Sequence, residues 1–314
     1  MSSTKIMNKV KHNTSGILPI FLGFVVLFIV ASIISDSFLT VNNIMNVLRQ
    51  LSYNCIIAVG MGFVILTGGI DLTVGSVVAL VSVLVASMQG LPAPIAVLIG
   101  LLVGVAVGFI NGFFIVKRRL QPFIVTLAMM TIVKGIAYIY SGGRPILGLS
   151  KGMEKLSTTY IGPLPLPAVF MIVIVIVAYF LLKHTYYGRS VYAVGGNEEA
   201  AKLSGTRTGG VIISCYMISG FLAAFASILS TARVAAGEPI LGDGWEMDAI
   251  AAVAIGGTAM SGGVGSVIGT FIGALILGVL SNLFNLLNIS AYVQQVVRGV
   301  IILVAVIATV RKKA

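Results

Sequence analysis

Apolar residues run almost unbroken along this chain, and the polar interruptions between the runs mark its elements. The runs cover residues 17–35, about 44–66, 73–88, 94–116, 122–140, 167–183, 209–232, 247–258, 264–286 and 291–310. Most approach the ~20 residues that a helix needs to cross a bilayer. The run 247–258 is short, which predicts a partly broken or re-entrant span. The first run is long for the apolar core of a signal peptide and lacks a clear small-x-small cleavage site, so it reads as a retained span. The pattern predicts an all-α integral membrane protein of about ten spans, with nine as the alternative. A polar segment 1–16 precedes a single transmembrane domain, 17–310, and a polar tail, 311–314, follows it.

Composition and charge sharpen that picture. Only 9% of the 314 residues are charged, against about 25% in a soluble domain, too few to clothe a water-facing surface. The net charge of +11 is no nucleic-acid signal, because the basic residues sit at span ends. With a cytoplasmic N-terminus and ten spans, thirteen of them fall inside: Lys5, Lys9, Lys11, Lys117, Arg118, Arg119, Lys183, Arg189, Lys202, Arg207, Arg311, Lys312 and Lys313. Arg144, Lys151, Lys155 and Arg233 fall outside. The bias satisfies the positive-inside rule and predicts that both termini are cytoplasmic. Cys55 and Cys215 lie in separate apolar runs and read as buried fillers rather than a disulfide.

The longest polar interruption in the second half, residues 188–210, carries the pattern of a short exposed helix on the cytoplasmic side. Asn197 is a good N-cap, and Glu198 and Glu199 fall in the first turn, at the positive end of the helix dipole. Ala200, Ala201, Lys202 and Leu203 are good helix formers. Gly205, after Ser204, is free to take the left-handed conformation that ends a helix, while Gly195 and Gly196 let the chain turn before it. A helix of roughly two turns is unstable alone in water. It needs a surface, which a partner protein's groove could supply; a plain connection between two spans is the alternative.

Two further breaks interrupt the apolar pattern, TGGIDLTVGS at 67–76 and GGTAMSGG at 256–263. Non-helical backbone at membrane depth survives only where protein or water satisfies it, and broken helices often line a translocation route. Short cytoplasmic turns are the competing reading for both. Asn54, Thr67, Asp71, Asn111, Lys134, Asn282 and Gln294 are the candidate route residues, since a neutral polyol is held by amides and hydroxyls rather than by fixed charges. Asn and Gln also stitch helices together. Lys134, in the fifth run, needs a partner at that depth, and Asp71 is the first candidate. Outside, the loop 233–246 holds Glu238, Asp243 and Glu246, three of the nine acids, as candidate contacts for a basic patch on a soluble partner. Gly100, Gly104 and Gly108, and again Gly265, Gly269 and Gly273, recur every four residues, the spacing of close helix contacts within a bundle or at a dimer interface.

No enzyme reading stands. The two histidines, His12 and His184, are far apart in sequence, no cluster has metal-ligand spacing, no phosphate loop occurs, and no cofactor is implied.

Long motifs carry a family resemblance. GGNEEAAKLSG at 195–205, TGGIDLTVGS at 67–76, LQPFIVTLAMM at 120–130, DAIAAVAIGGTAMSGGVGSVIGTFIGALILG at 248–278 and NLLNISAYVQQVVRGVIILVAV at 285–306 resemble permease subunits of bacterial ABC sugar importers, the ribose type in particular. Thr73 and Thr206 depart from that pattern, and the loop 141–166 matches it poorly. The resemblance implies a multi-pass importer fold in the bacterial cytoplasmic membrane. It also implies a second permease subunit (a homodimer), a separate ATP-binding subunit that hydrolyses ATP, and an extracytoplasmic sugar-binding protein. The segment 188–208 would then be the coupling segment on the ATPase, and ribose or a related pentose the solute. A self-sufficient carrier or facilitator for a small polar solute is the alternative.

Overall fold

The computed structural model describes residues 17–311; the side of the membrane on which the two termini lie is a question for segments outside that range. The chain runs α1 (Ile17–Ile34), α2 (Val41–Leu66), α3 (Val74–Ser87), α4 (Ala93–Arg118), α5 (Pro122–Ser141), β1 (Ile146–Leu147), α6 (Lys151–Thr158), β2 (Tyr160–Ile161), β3 (Leu164–Pro165), α7 (Leu166–His184), α8 (Tyr186–Gly196), α9 (Glu198–Leu203), α10 (Thr208–Val234), β4 (Ala236–Gly237), α11 (Trp245–Ile255), α12 (Val267–Leu286) and α13 (Ala291–Arg311). Among the described residues, seven helices, α1, α2, α4, α5, α7, α10 and α12, are long and apolar enough to cross a membrane. The predicted spans 73–88 and 247–258 are shorter helices, α3 of 14 residues and α11 of 11. At 1.5 Å per residue neither covers the ~30 Å of a hydrocarbon core. The class is nevertheless plain: an all-helical, multi-pass membrane protein.

The bundle is built around α2 and α3, which are buried almost throughout from Leu51 to Ala86. Lipid gives apolar helices no hydrophobic reason to associate, so close backbone packing must do it. The glycine stripe of α4 provides that closeness. A β-carbon at Gly104 or Gly108 would fall on the carbonyl oxygens of Gly220 or Tyr216 in α10, and one at Gly112 would lie 2.7 Å from the Cα of Ile213. The stripe of α12 packs in the same way on α11, Gly269 against Gly256 and Gly273 against Ala252. Both stripes therefore pack within the chain. The outward faces of α4, α5 and α7 carry exposed Leu98, Leu102, Ile124, Ile139, Ile176 and Phe180, side chains suited to lipid.

Lys117, Arg118, Arg119, Lys183, Arg189 and Arg207 lie at the ends of α4 and α7 and near the starts of α8 and α10, which pack there on Leu182 and Val116, and they make this the basic end of the bundle. At this end α2 stops at Thr67, and Gly68 turns with φ 83°. The chain then re-enters the protein: Asp71, Leu72 and Thr73 are buried before α3 begins. The break at 67–73 thus turns at an exposed Gly68 and is fully buried from Asp71 to Thr73.

The segment 233–246 corrects a second expectation. It is not a loop displayed at the outer surface. After α10 ends at Ala235, β4 pairs antiparallel with β1, and the chain then follows α3 inward. Glu238 N–H donates to Ser82 Oγ at 3.2 Å, and Gly242 lies against Gly75 and Val78, near the start of α3. The α11 helix begins only there and runs the remaining distance to the basic end. The two-residue strand, the turns at 239–244 and the short helix follow one another along the bundle.

Candidate functional site

At the basic end, α9 is the predicted exposed helix; the helix α8 before it was not predicted, and it takes in Gly195 and Gly196, expected to turn the chain, and buries Gly188, Ser190, Val191 and Val194. Thr185 caps α8 by accepting from Gly188 N–H at 3.1 Å, and Asn197 caps α9 by accepting from Ala200 N–H at 2.9 Å. Gly205 ends α9 with φ 84°. Asn197, Glu198, Glu199, Ala200 and Ser204 are exposed, whereas Ala201 is buried and seats the helix on its own chain. Leu203 is 90% exposed, an apolar side chain with nothing of its own chain to cover it. Only the helix-forming tendency of Leu203 was legible in the sequence; its outward aim depends on the helix's rotation.

Behind this helix, three glycine-rich segments meet. Gly263 N–H donates to the Leu66 carbonyl at the end of α2, at 3.0 Å. Gly195 packs against both groups, Gly262 against Gly68 and Gly195, and Gly263 against Gly196. The Tyr192 hydroxyl donates to the Gly265 carbonyl at 3.0 Å. The C-terminal end of α8, from which the exposed helix follows directly, is therefore joined through backbone contacts to both interruptions of the apolar pattern, 67–73 and 256–266.

Within the bundle, Asp71 is fully buried and accepts from Thr73 N–H at 3.0 Å, from the Thr73 hydroxyl, and from the Ser219 hydroxyl of α10 at 2.8 Å. Asn111 of α4 donates to Thr73 Oγ1 at 2.9 Å. The Ile70 carbonyl accepts from Thr126 and Tyr216 hydroxyls. The network ties the broken segment to α4, α5 and α10.

The expected Lys134–Asp71 pair does not form. Lys134 Nζ is 2.6 Å from Asp243, and the two side chains are 34% and 49% exposed. The inward course of 238–244 brings Asp243 to α5, which a surface-loop reading could not anticipate. Of the three acids predicted there, Asp243 is engaged by Lys134, and Glu238 and Glu246 are half-buried, Glu246 beside Gly75.

Nor do all the other route candidates converge. Asn282 exchanges hydrogen bonds with Asn43 at 2.8 and 3.0 Å, stitching α12 to α2. Gln294 donates to Asn285 and to the Ile289 carbonyl, closing the α12–α13 turn. The Thr67 hydroxyl donates to the Val64 carbonyl of its own helix. Asn54 alone of the seven lines a polar cavity of about 190 Å³ between α2, α10, α11 and α13. Arg298 of α13 pairs there with Asp248 of α11 at 3.0 Å. Two ionisable residues lying in separate apolar runs at 248 and 298 were the available signal for that pair; neither had been matched with the other.

An all-helical bundle with interrupted spans, glycine-packed helices and an exposed capped helix at its basic end defines a multi-pass membrane protein. Residues 43–306 match the model of the branched-chain amino acid transport system permease component, and the chain belongs to that family. The ribose import permease protein RbsC of Bacillus subtilis (strain 168) is 46% identical over 298 residues, 94% of this chain and 92% of the relative. RbsC of Escherichia coli (strain K12) is 43% identical, over 93% of each chain. The L-arabinose transport system permease protein AraH of the same strain is 40% identical over 90% of this chain and 87% of the relative. No solved structure gives a significant match.

Proposed function

We propose that the chain is the transmembrane subunit of an ATP-driven importer that carries ribose, or a related pentose, across the bacterial cytoplasmic membrane. The substrate reading is supported by relatives named for ribose and arabinose transport. The mechanism is supported above all by one observation: an Asn197-capped helix that exposes Leu203 and follows directly from the end of α8, which glycine contacts join to both interrupted spans. In this reading the importer contains two copies of the chain, a separate ATPase receives α9 in a groove, and an extracytoplasmic binding protein delivers sugar. The basic end is cytoplasmic, as the charge bias requires. Ten crossings result when 67–73 with α3 and 238–244 with α11 each count as one, beside α13 and the seven long helices, with both termini inside.

Coupling needs a stiff element whose position both the nucleotide site and the membrane gate can bias. Ala200 and Leu203 face solvent, so substituting them should leave insertion and folding intact. Ala200→Trp should overfill the ATPase groove, and Leu203→Asp should place a charge in it. Both variants are expected to lower co-purification of the ATPase and to lower sugar-stimulated ATP hydrolysis and uptake together. Asn197→Ala should be milder, costing the cap about 1 kcal/mol. Full ATPase association and full uptake by both Ala200→Trp and Leu203→Asp would reduce α9 to a connection between spans.

A further inference from the structure

We infer that the cavity between α2, α10, α11 and α13 holds the solute in transit, and that it takes a neutral polyhydroxylated ring. The inference rests on the importer reading and assigns that reading a site. Three features of the lining carry it.

The first is a set of unused hydrogen-bonding groups. Gln50 and Asn54 lie one turn apart on α2, and among the described residues their side-chain amides make no hydrogen bond. Asn43, Asn282 and Gln294, by contrast, are engaged with neighbouring helices or turns, and Asn111 donates to Thr73 while its own oxygen stays buried without a partner. Each free amide offers donors and an acceptor, the complement of a sugar hydroxyl. The second is the charge. Asp248 and Arg298 face each other at 3.0 Å, and Arg298 also donates to Ser281 Oγ at 3.2 Å. Paired in this way they exert little net pull on an ion. Their remaining lone pairs and N–H groups can still accept from and donate to neighbouring hydroxyls. The one further charge, Arg233, is exposed. The third is Trp245, the only tryptophan in the chain, which stands half-buried at the start of α11 and presents an apolar face on which the C–H side of a sugar ring can stack. Trp245 and Asp248 both sit on the short helix whose far end runs into the 256–266 break. Motion at the basic end therefore reaches the same helix that holds the solute.

The test uses the complete complex of permease, ATPase and binding protein in proteoliposomes. Cysteines are introduced one at a time, Gln50→Cys and Asn54→Cys, in a Cys55→Ala, Cys215→Ala background; both native cysteines are buried. A small cationic methanethiosulfonate is added during turnover, and modification of the permease is followed. The expected result is reaction at both positions, slowed about fivefold by millimolar ribose and not by ribose 5-phosphate, while a cysteine at lipid-facing Leu98 is indifferent to sugar. In parallel, Asn54→Ala and Trp245→Ala are expected to lower uptake about tenfold with complex assembly and binding-protein-stimulated ATP hydrolysis retained. Equal labelling with and without ribose, absence of labelling, or stronger protection by ribose 5-phosphate would each overturn the site. So would normal uptake by both alanine variants. A wild-type complex that takes up no sugar would overturn the importer reading itself, a different result from wild-type uptake with unprotected cysteines.

Discussion

Gly195→Ala is expected to abolish ATP-driven uptake, whereas Gly196→Ala, one residue away, should leave it nearly unchanged. A β-carbon at Gly195 would fall on the carbonyl oxygen of Leu66 and 2.5 Å from the amide nitrogen of Gly263. Those two groups are hydrogen-bonded to each other, so neither can give way without breaking the bond that joins the end of α2 to the 256–266 segment. Backbone, unlike a side-chain tip, cannot rotate aside. The variant must separate the three segments, at a cost of about 1–3 kcal/mol or more for overpacking. The β-carbon of an alanine at Gly196 would meet nothing within 4 Å. The pair is thus an internal control in which the same chemical change is made on either side of a contact. Uptake and ATP hydrolysis, measured with the thermal midpoint of each variant, separate loss of coupling from loss of folding. Equal behaviour of the two variants would show that the glycine contacts are incidental.

Asp71→Ala should be the most destabilising substitution of a polar residue in the bundle. It removes the acceptor for Thr73 N–H, the Thr73 hydroxyl and the Ser219 hydroxyl, all of them buried. Donors stranded away from water cost about 1–3 kcal/mol each. Hydroxyls can rotate toward other acceptors, so a total loss of about 3 kcal/mol or more is expected rather than the full sum. Asp71→Asn keeps one acceptor oxygen and should lose about half as much, and Ser219→Ala, which takes away a single donor, about 1 kcal/mol. Equilibrium unfolding in detergent gives the order directly. A change within 1 kcal/mol for Asp71→Ala would mean that the carboxylate is not what anchors the 67–73 segment.

The sequence was most legible where local chemistry decides the outcome. The cap at Asn197, the acids after it and the stop at Gly205 need only the neighbouring residues to be understood, and the structure has all three. Long apolar runs became long helices for the same reason. The course of 233–246 was not legible, because its inward path is set by packing on Ser82 and Val78, residues far off in the chain. That one error carried the partner of Lys134 with it. The surroundings of the route candidates were illegible for a different reason. An amide in an apolar run can face a neighbouring helix or an open cavity, and composition is the same in both cases. Asn282 met Asn43 while Asn54 met open space, a difference that only the relative rotation of helices determines.

The most direct test of the central claim is uptake of labelled ribose into proteoliposomes that hold the permease alone, the permease with its ATPase, or both with the binding protein. The importer account predicts accumulation against a gradient only in the last case, only with ATP enclosed on the side of the basic end, and none when ATP is replaced by a non-hydrolysable analogue. Competition by excess unlabelled pentoses and hexoses then ranks the sugars. Equilibration of ribose by the permease alone, at the same rate with and without ATP, would contradict the account and identify a self-sufficient facilitator instead.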